Sequence, residues 1–106
     1  MATLRLAHQH TPDIKPQVRQ RIMRFVRGIV LAATGVLPEA YEVGPRTFVE
    51  MTLDSRELAE AARDEVLAMF ENLAGAERPC IAVSNPHGAW INSTEWVASI
   101  SVCESR

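Results

Sequence analysis

The segment PQVRQRIMRFVRGIVLAATG, residues 16–35, decides the fold because its apolar side chains recur at steps of three and four. That spacing is typical of an amphipathic helix, so we predict a helix from Pro16 to Thr34. Proline suits a first helical turn, and Gly35 ends the helix. The predicted apolar stripe consists of Val18, Ile22, Phe25, Val26, Ile29 and Ala33.

The residues on either side of this helix alternate between apolar and polar side chains, which indicates strands. Residues 3–10 place Leu4 and Leu6 on one face and predict a half-buried strand. Residues 40–43 predict a short strand, Gly44-Pro45 a turn, and residues 47–53 a further strand. In that further strand Val49, Met51 and Leu53 share one side and Phe48 lies on the other.

A second helix follows the third strand. Asp54 is predicted as its N-cap, with Glu57 completing a capping box, and Gly75 as its end. Its predicted apolar face consists of Leu58, Ala62, Val66, Met69, Phe70 and Leu73.

The remaining residues predict a strand over 80–84, a turn over Asn85-Pro86-His87-Gly88 and a final strand over 96–103. The predicted order is β-α-β-β-α-β-β, a two-layer α/β sandwich forming one domain over residues 1–106. A strand-helix-strand unit occurs twice, over residues 3–43 and 47–83, which suggests an internal pseudo-repeat.

The composition excludes several classes of function. The chain has 106 residues, 47% of them apolar and 23% charged, with a net charge of −2. This charge gives no reason to expect a nucleic-acid partner. A chain of this size buries only about two-thirds of its unfolded surface, which makes assembly into oligomers attractive.

Location is predicted from cysteine usage and from the apolar runs. Cys80 and Cys103 form neither a disulfide framework nor a metal-ligand spacing, so a reducing, cytoplasmic compartment is expected. The first residues lack the apolar stretch of a signal peptide. The longest apolar run, residues 28–33, is too short to span a membrane, so no membrane partner is expected.

Three stretches carry a resemblance to a known family. They are LAATGVLP (31–38), FVEMTL (48–53) and GAWINST (88–94). The chain resembles the macrophage migration inhibitory factor branch of the tautomerase superfamily and, more loosely, the 5-carboxymethyl-2-hydroxymuconate isomerases. The resemblance covers nearly the whole chain in order, although the final strand runs beyond it.

The resemblance implies a tautomerase-type sandwich with an extra C-terminal strand, assembled as a homotrimer with active sites between subunits. It also implies an isomerase that acts on a small 2-oxo acid or its enol, without cofactor or metal. The family's base is an N-terminal proline, whose amine must be poised near neutral pH.

The sequence departs from the family at that base and in the pocket. Ala2 follows Met1 and offers only a primary amine once Met1 is removed. The family's pocket lysine is matched by Val36, and its tyrosine and asparagine on the fourth strand by Cys80 and Ala82.

Five residues are therefore the candidate site. Ala2 is the candidate catalytic amine, with a plain strand start as the alternative. Asp54 is a candidate acid or base, with helix capping as the favoured alternative. Arg5 and Arg46 are candidates for binding a substrate carboxylate, with surface or intersubunit ion pairs as the alternative. Cys80 completes the candidate substrate-binding residues.

Two histidines have the spacing of possible metal ligands. His8 and His10 alternate on one strand face, but no third ligand joins them at a suggestive spacing, so no metal is expected.

Three functions remain open from the sequence. The chain is an isomerase that uses the Ala2 amine, or a non-catalytic binding or structural protein with the same fold. The third possibility is a ferredoxin-like small subunit of a larger enzyme complex.

Overall fold

The computed structural model describes residues 1–74 and 81–104. Its elements follow the predicted order. They are β1 (Ala2–Gln9), α1 (Pro16–Thr34), β2 (Glu39–Val43), β3 (Arg46–Leu53), α2 (Arg56–Ala74), β4 (Ile81–Trp90) and β5 (Glu95–Glu104). The predicted helix end at Gly75 and the candidate Cys80 lie outside the described residues.

The five strands form one mixed sheet in the order β2-β3-β1-β5-β4. β1 runs antiparallel to β3 and parallel to β5, while the β2–β3 and β4–β5 pairs are antiparallel. The connection from β1 through α1 to β2 therefore passes over β3, which is a split β-α-β arrangement. Both predicted strand-helix-strand units are present, but the sheet has no internal two-fold because β5 lies between β1 and β4.

The first helix has the predicted bounds. Gly35 follows it at φ 75°, and its N–H donates to the Leu31 carbonyl at 2.8 Å. Glycine adopts this left-handed conformation without steric cost, which explains why the helix stops here. The buried side chains of α1 are Ile22, Val26, Ile29 and Val30.

The second helix begins later than predicted. Ser55, not Asp54, is the cap: its Oγ accepts the Leu58 N–H at 3.2 Å. The predicted apolar face is also wrong at Leu58, which is 53% exposed, whereas Ala59 is fully buried. Leu58 precedes Ala59 by one position and therefore points about 100° away from the buried side of the helix.

Both helices pack on the same face of the sheet, where one core forms. Alternate residues of β1 enter this core, which explains the alternating pattern in the sequence. The core includes Leu4, Leu6, Val49, Met51, Trp96 and Ala98 from the sheet, and Ile22, Val26, Ala59 and Phe70 from the helices.

The predicted turn over residues 85–88 is wrong, because β4 is a strand through Trp90. The β4–β5 register shifts between Ser84 and His87, where the sequence has Pro86. Proline lacks an N–H and is tolerated at such irregularities. Gly88 is required for close packing, since a Cβ there would lie 2.7 Å from Trp96 Cη2.

Of the helices described, none combines the length and apolar character needed to cross a membrane.

Candidate functional site

Ala2 and Asp54 lie at the same end of the sheet. The β1–β3 register places Ala2 opposite Leu53, the residue before Asp54. Ala2 is 2% exposed and Met1 is 82% exposed, and the Thr3 N–H donates to the Thr94 carbonyl at 2.7 Å. The start of β1 is thus held between β3 and β5, with Asp54 beside it.

The structure separates Arg46 from this pair. Arg46 lies opposite Gln9 at the other end of the β1–β3 ladder. At about 3.3 Å per strand residue, the seven residues from Ala2 to Gln9 span about 23 Å. Within one chain, Arg46 therefore does not share a site with Ala2 and Asp54.

Arg5 lies on the face of the sheet opposite the helices, where its guanidinium binds two carboxylates of its own chain. Its Nε donates to Glu50 Oε2 at 2.8 Å, and one terminal nitrogen donates to Glu95 Oε2 at 3.2 Å. The hydrogen bond to Glu50 raises the pKa of Arg5, although partial burial opposes this rise. The carboxylates that Arg5 holds are thus Glu50 and Glu95.

A polar row continues from Arg5 across four strands. The Tyr41 hydroxyl on β2 donates to Glu50 Oε2 at 3.2 Å, and burial together with Glu50 raises the Tyr41 pKa. On the other side, Asn92 Nδ2 donates to Glu95 Oε1 at 3.5 Å. We call Tyr41, Glu50, Arg5 and Glu95 the charge row.

The turn beside the charge row is itself ordered by Asn92. Its Oδ1 accepts the backbone N–H groups of Thr94 and Glu95, each at 2.8 Å. Asparagine favours such turns because its short side chain reaches the backbone two residues on. This contact fixes the start of β5 and with it the position of Glu95.

We call the side of the sheet that carries the charge row the bare face, because neither helix packs on it. Half-buried apolar side chains flank the row: Ala7, Phe48 and Val97. Phe48 stacks on Tyr41 with ring centroids 5.2 Å apart. The bare face therefore combines paired charges with apolar contact surface.

A groove opens where β3 extends beyond the start of β2. It encloses 250 Å³ and is lined by Val36, Leu37, Glu39, Glu50, Met51 and Thr52. Glu39 and Glu50 are directly opposite each other in the β2–β3 register. Because Glu50 is paired with Arg5, the Glu39 carboxylate is the charge that disfavours an anionic 2-oxo acid in this groove, since like charges repel.

Within the described residues, the crevice between the sheet and the helices is too small for a substrate. The crevice between the sheet and the helices, lined by Leu4, Val30 and Trp96 among others, has about 10 Å³ of free volume. That is roughly the room one water molecule needs.

His8 and His10 lie on the helix-covered face at the far end of β1. Both are buried, with their rings edge to face at 4.7 Å. His8 Nδ1 lies 3.2 Å from the Ile100 carbonyl, and His10 Nε2 bonds the Thr47 hydroxyl. Burial, then the neighbouring His8 and Arg19, lower the pKa of His10.

The described residues contain no group of three or more ligating side chains that could hold a metal ion. Among the five candidates, Ala2 and Asp54 lie at the same end of the β1–β3 ladder, Arg5 lies within the charge row, Arg46 is remote and Cys80 is outside the described residues. Sequence reasoning missed Glu50 and Glu95 because both lie in strands whose pairing no local pattern reveals.

A comparison with known protein families, with curated proteins and with solved structures found no match to this chain. The chain is therefore classified by its fold alone, as a split β-α-β sandwich.

Proposed function

We propose that this protein is a binding or structural subunit that works as a homo-oligomer, in which another copy covers the bare face. The observation that supports this proposal is the charge row: each of its ionised side chains has an oppositely charged partner within the chain. The homotrimer is the assembly that the resemblance implies.

The physical argument concerns the cost of covering charges. A buried charge without a partner costs several kcal/mol, whereas a paired and hydrogen-bonded charge avoids most of that penalty. Arg5 already binds Glu50 and Glu95, and Glu50 also accepts from Tyr41. A second copy can therefore cover the charge row through Phe48 and Val97 while each ionised side chain of the row keeps its partner.

The test is a pair of matched substitutions read out by light scattering. Ala7→Asp places an unpaired carboxylate in the centre of the bare face, and Ala68→Asp places one on an exposed position of α2. We expect Ala7→Asp to lower the mass below that of the wild type and Ala68→Asp to leave the oligomer intact. Circular dichroism verifies that both variants fold. Equal masses in all three proteins contradict the proposal.

Catalysis by the Ala2 amine is the second candidate, favoured by the register that brings Ala2 beside Asp54. Removal of Met1 leaves a primary α-amine, whose pKa is ordinarily about 7.7–8.0. The test is enol–keto tautomerisation of an aromatic 2-oxo acid by protein whose intact mass shows that Met1 is absent. Activity that rises in Ala2→Pro supports this candidate, and inactivity of both proteins contradicts it.

A ferredoxin-like subunit of a larger enzyme complex is the third candidate, favoured by the split β-α-β connection over β3. Under this candidate the bare face is covered by a different protein. The purified chain is then monomeric at every concentration, while its native mass in extracts of the producing cells is larger. A purified oligomer contradicts this candidate.

A further inference from the structure

The strand β2 forms one edge of the sheet and is short and exposed. It pairs only with β3 among the described strands, so its outer backbone groups have no strand partner there. Natural edge strands are protected by charged side chains, proline or a bulge; residues 39–43 contain no proline, lysine or bulge, and their charged residues are Glu39 and Glu42. Tyr41 is 37% exposed and Val43 is 60% exposed.

Two charges of opposite sign flank this edge strand at its two ends. Glu39 lies opposite Glu50, and Val43 lies opposite Arg46, so Glu39 and Arg46 are on the bare-face side of the hairpin. Both side chains are exposed. Within the described residues, neither forms a hydrogen bond or an ion pair, which leaves a free anion at one end of β2 and a free cation at the other.

We propose that two copies of this chain pair β2 to β2, antiparallel, about a two-fold axis at Tyr41. The two five-stranded sheets then become one continuous sheet of ten strands. In this register Glu39 lies beside Val43 of the second copy, because each lies two residues from Tyr41. The inference concerns the edge of the sheet and does not rest on the proposed covering of the bare face.

The two-fold axis brings Glu39 of each copy toward Arg46 of the other copy, so this contact between opposite charges occurs twice. Arg46 of the second copy lies one strand beyond its Val43, so it is two strand spacings, or about 9.6 Å, from Glu39. The long arginine side chain and the glutamate side chain together span that distance on the same face. A two-fold interface must be self-complementary, and opposite charges at equal distances from Tyr41 satisfy this condition.

Apolar surface also favours a second copy over an unrelated extended peptide. The pairing places Tyr41, which is 37% exposed, beside its own equivalent, and Val43, which is 60% exposed, beside Glu39 of the second copy. Exposed apolar side chains on both sides of the seam are thus covered by the same operation that pairs the charges.

The decisive experiment is a charge swap followed by sedimentation velocity at low salt. Glu39→Arg alone and Arg46→Glu alone each place like charges at both symmetry-related contacts of the β2–β2 interface, which opposes association. We expect each to raise the dimer dissociation constant on the order of tenfold or more. The double variant Glu39→Arg/Arg46→Glu restores opposite charges, and we expect it to dimerise like the wild type. Arg24→Glu, at an exposed position of α1, is the matched control.

Three results overturn the inference. They are a wild type that does not associate in sedimentation velocity, single variants that associate as tightly as the wild type, and a double variant that associates no more tightly than the single variants. The edge contact and the bare-face contact are distinguished by which variants act. If Ala7→Asp lowers the mass and the charge variants do not, the edge inference fails and the proposed function stands. If the charge variants weaken association and Ala7→Asp does not, the edge inference stands and the proposed covering of the bare face fails.

Discussion

The two faces of the same strand, β1, have opposite roles in this protein. Leu4 and Leu6 point into the core and are 6% and 5% exposed, whereas Arg5 and Ala7, which alternate with them, lie on the bare face and are half-buried. The helix-covered face gains stability from apolar burial. The bare face holds the charge row, whose ionised side chains are paired within the chain, and is the better candidate for contacts with other copies.

The largest expected effect contrasts two phenylalanines, one on each side of the sheet. Phe70 of α2 is fully buried, so Phe70→Ala is expected to lower the free energy of unfolding by about 3–5 kcal/mol. Phe48→Ala on the bare face removes a partly exposed ring stacked on Tyr41, and we expect a loss of about 1 kcal/mol or less in the monomer. Urea unfolding of both variants measures the difference.

The same pair tests whether the bare face is covered in solution. If another copy covers it, the cost of Phe48→Ala rises with protein concentration because association is linked to folding. Equal losses for Phe70→Ala and Phe48→Ala at low concentration contradict the distinction between the two faces.

Replacing either of two glycines by alanine is expected to have a smaller effect on the free energy of unfolding. A Cβ at Gly88 would lie 2.7 Å from Trp96 Cη2 and 2.8 Å from Ala98 Cβ, so Gly88→Ala overpacks the covered face and is expected to cost about 1–3 kcal/mol. Gly28→Ala is the control, since nothing lies within 4 Å of its added Cβ. Because alanine favours helices, we expect Gly28→Ala to stabilise by about 0.5–1 kcal/mol. Thermal unfolding measures both, and a neutral Gly88→Ala contradicts the packing argument.

The sequence predicted those parts of the fold that depend on local periodicity. Apolar spacing and Gly35 gave both ends of α1, and alternation gave β1 and β3. It was wrong where a distant contact decides the conformation. Gly88 and Pro86 are typical of a turn, but the Trp96 ring explains the glycine and a register shift accommodates the proline.

The candidate site shows the same limit. Proximity of Ala2 to Asp54 depends on the β1–β3 register, which the sequence does not reveal directly, and the same register carries Arg46 to the far end. Arg5 was a candidate for binding a carboxylate, and its side chain meets Glu50 and Glu95 because three strands are brought together by pairing. Only long-range pairing determines which charges meet.

The buried histidines predict a pH dependence that belongs to the covered face. His10 of β1 is faced by His8, by Thr47 of β3, by Arg19 of α1 and by Glu42 of β2. Burial first, then His8 and Arg19, lower its pKa, while Glu42 raises it.

A histidine whose pKa is lower in the folded state binds a proton more readily when unfolded. The free energy of unfolding is therefore not reduced by this histidine above the unfolded pKa of about 6.5. It falls as the pH decreases from that value toward the lower folded pKa. We expect urea unfolding to show this decline in the wild type and a flatter profile in His10→Gln. Identical profiles contradict this assignment.

The smallest expected effect is on the bare face, at Glu95. Glu95→Gln removes one of the two carboxylates around Arg5 and leaves Glu50 at 2.8 Å. Because the Glu95 side chain is 37% exposed, solvent screens the lost ion pair, and we expect a loss of about 0–1 kcal/mol at low protein concentration. Glu71→Gln on the exposed side of α2 is the matched control. In an oligomer that covers the bare face, the cost grows with concentration, since Arg5 is then desolvated with one fewer partner. Urea unfolding at two protein concentrations measures it, and a large loss in the monomer contradicts the screening argument.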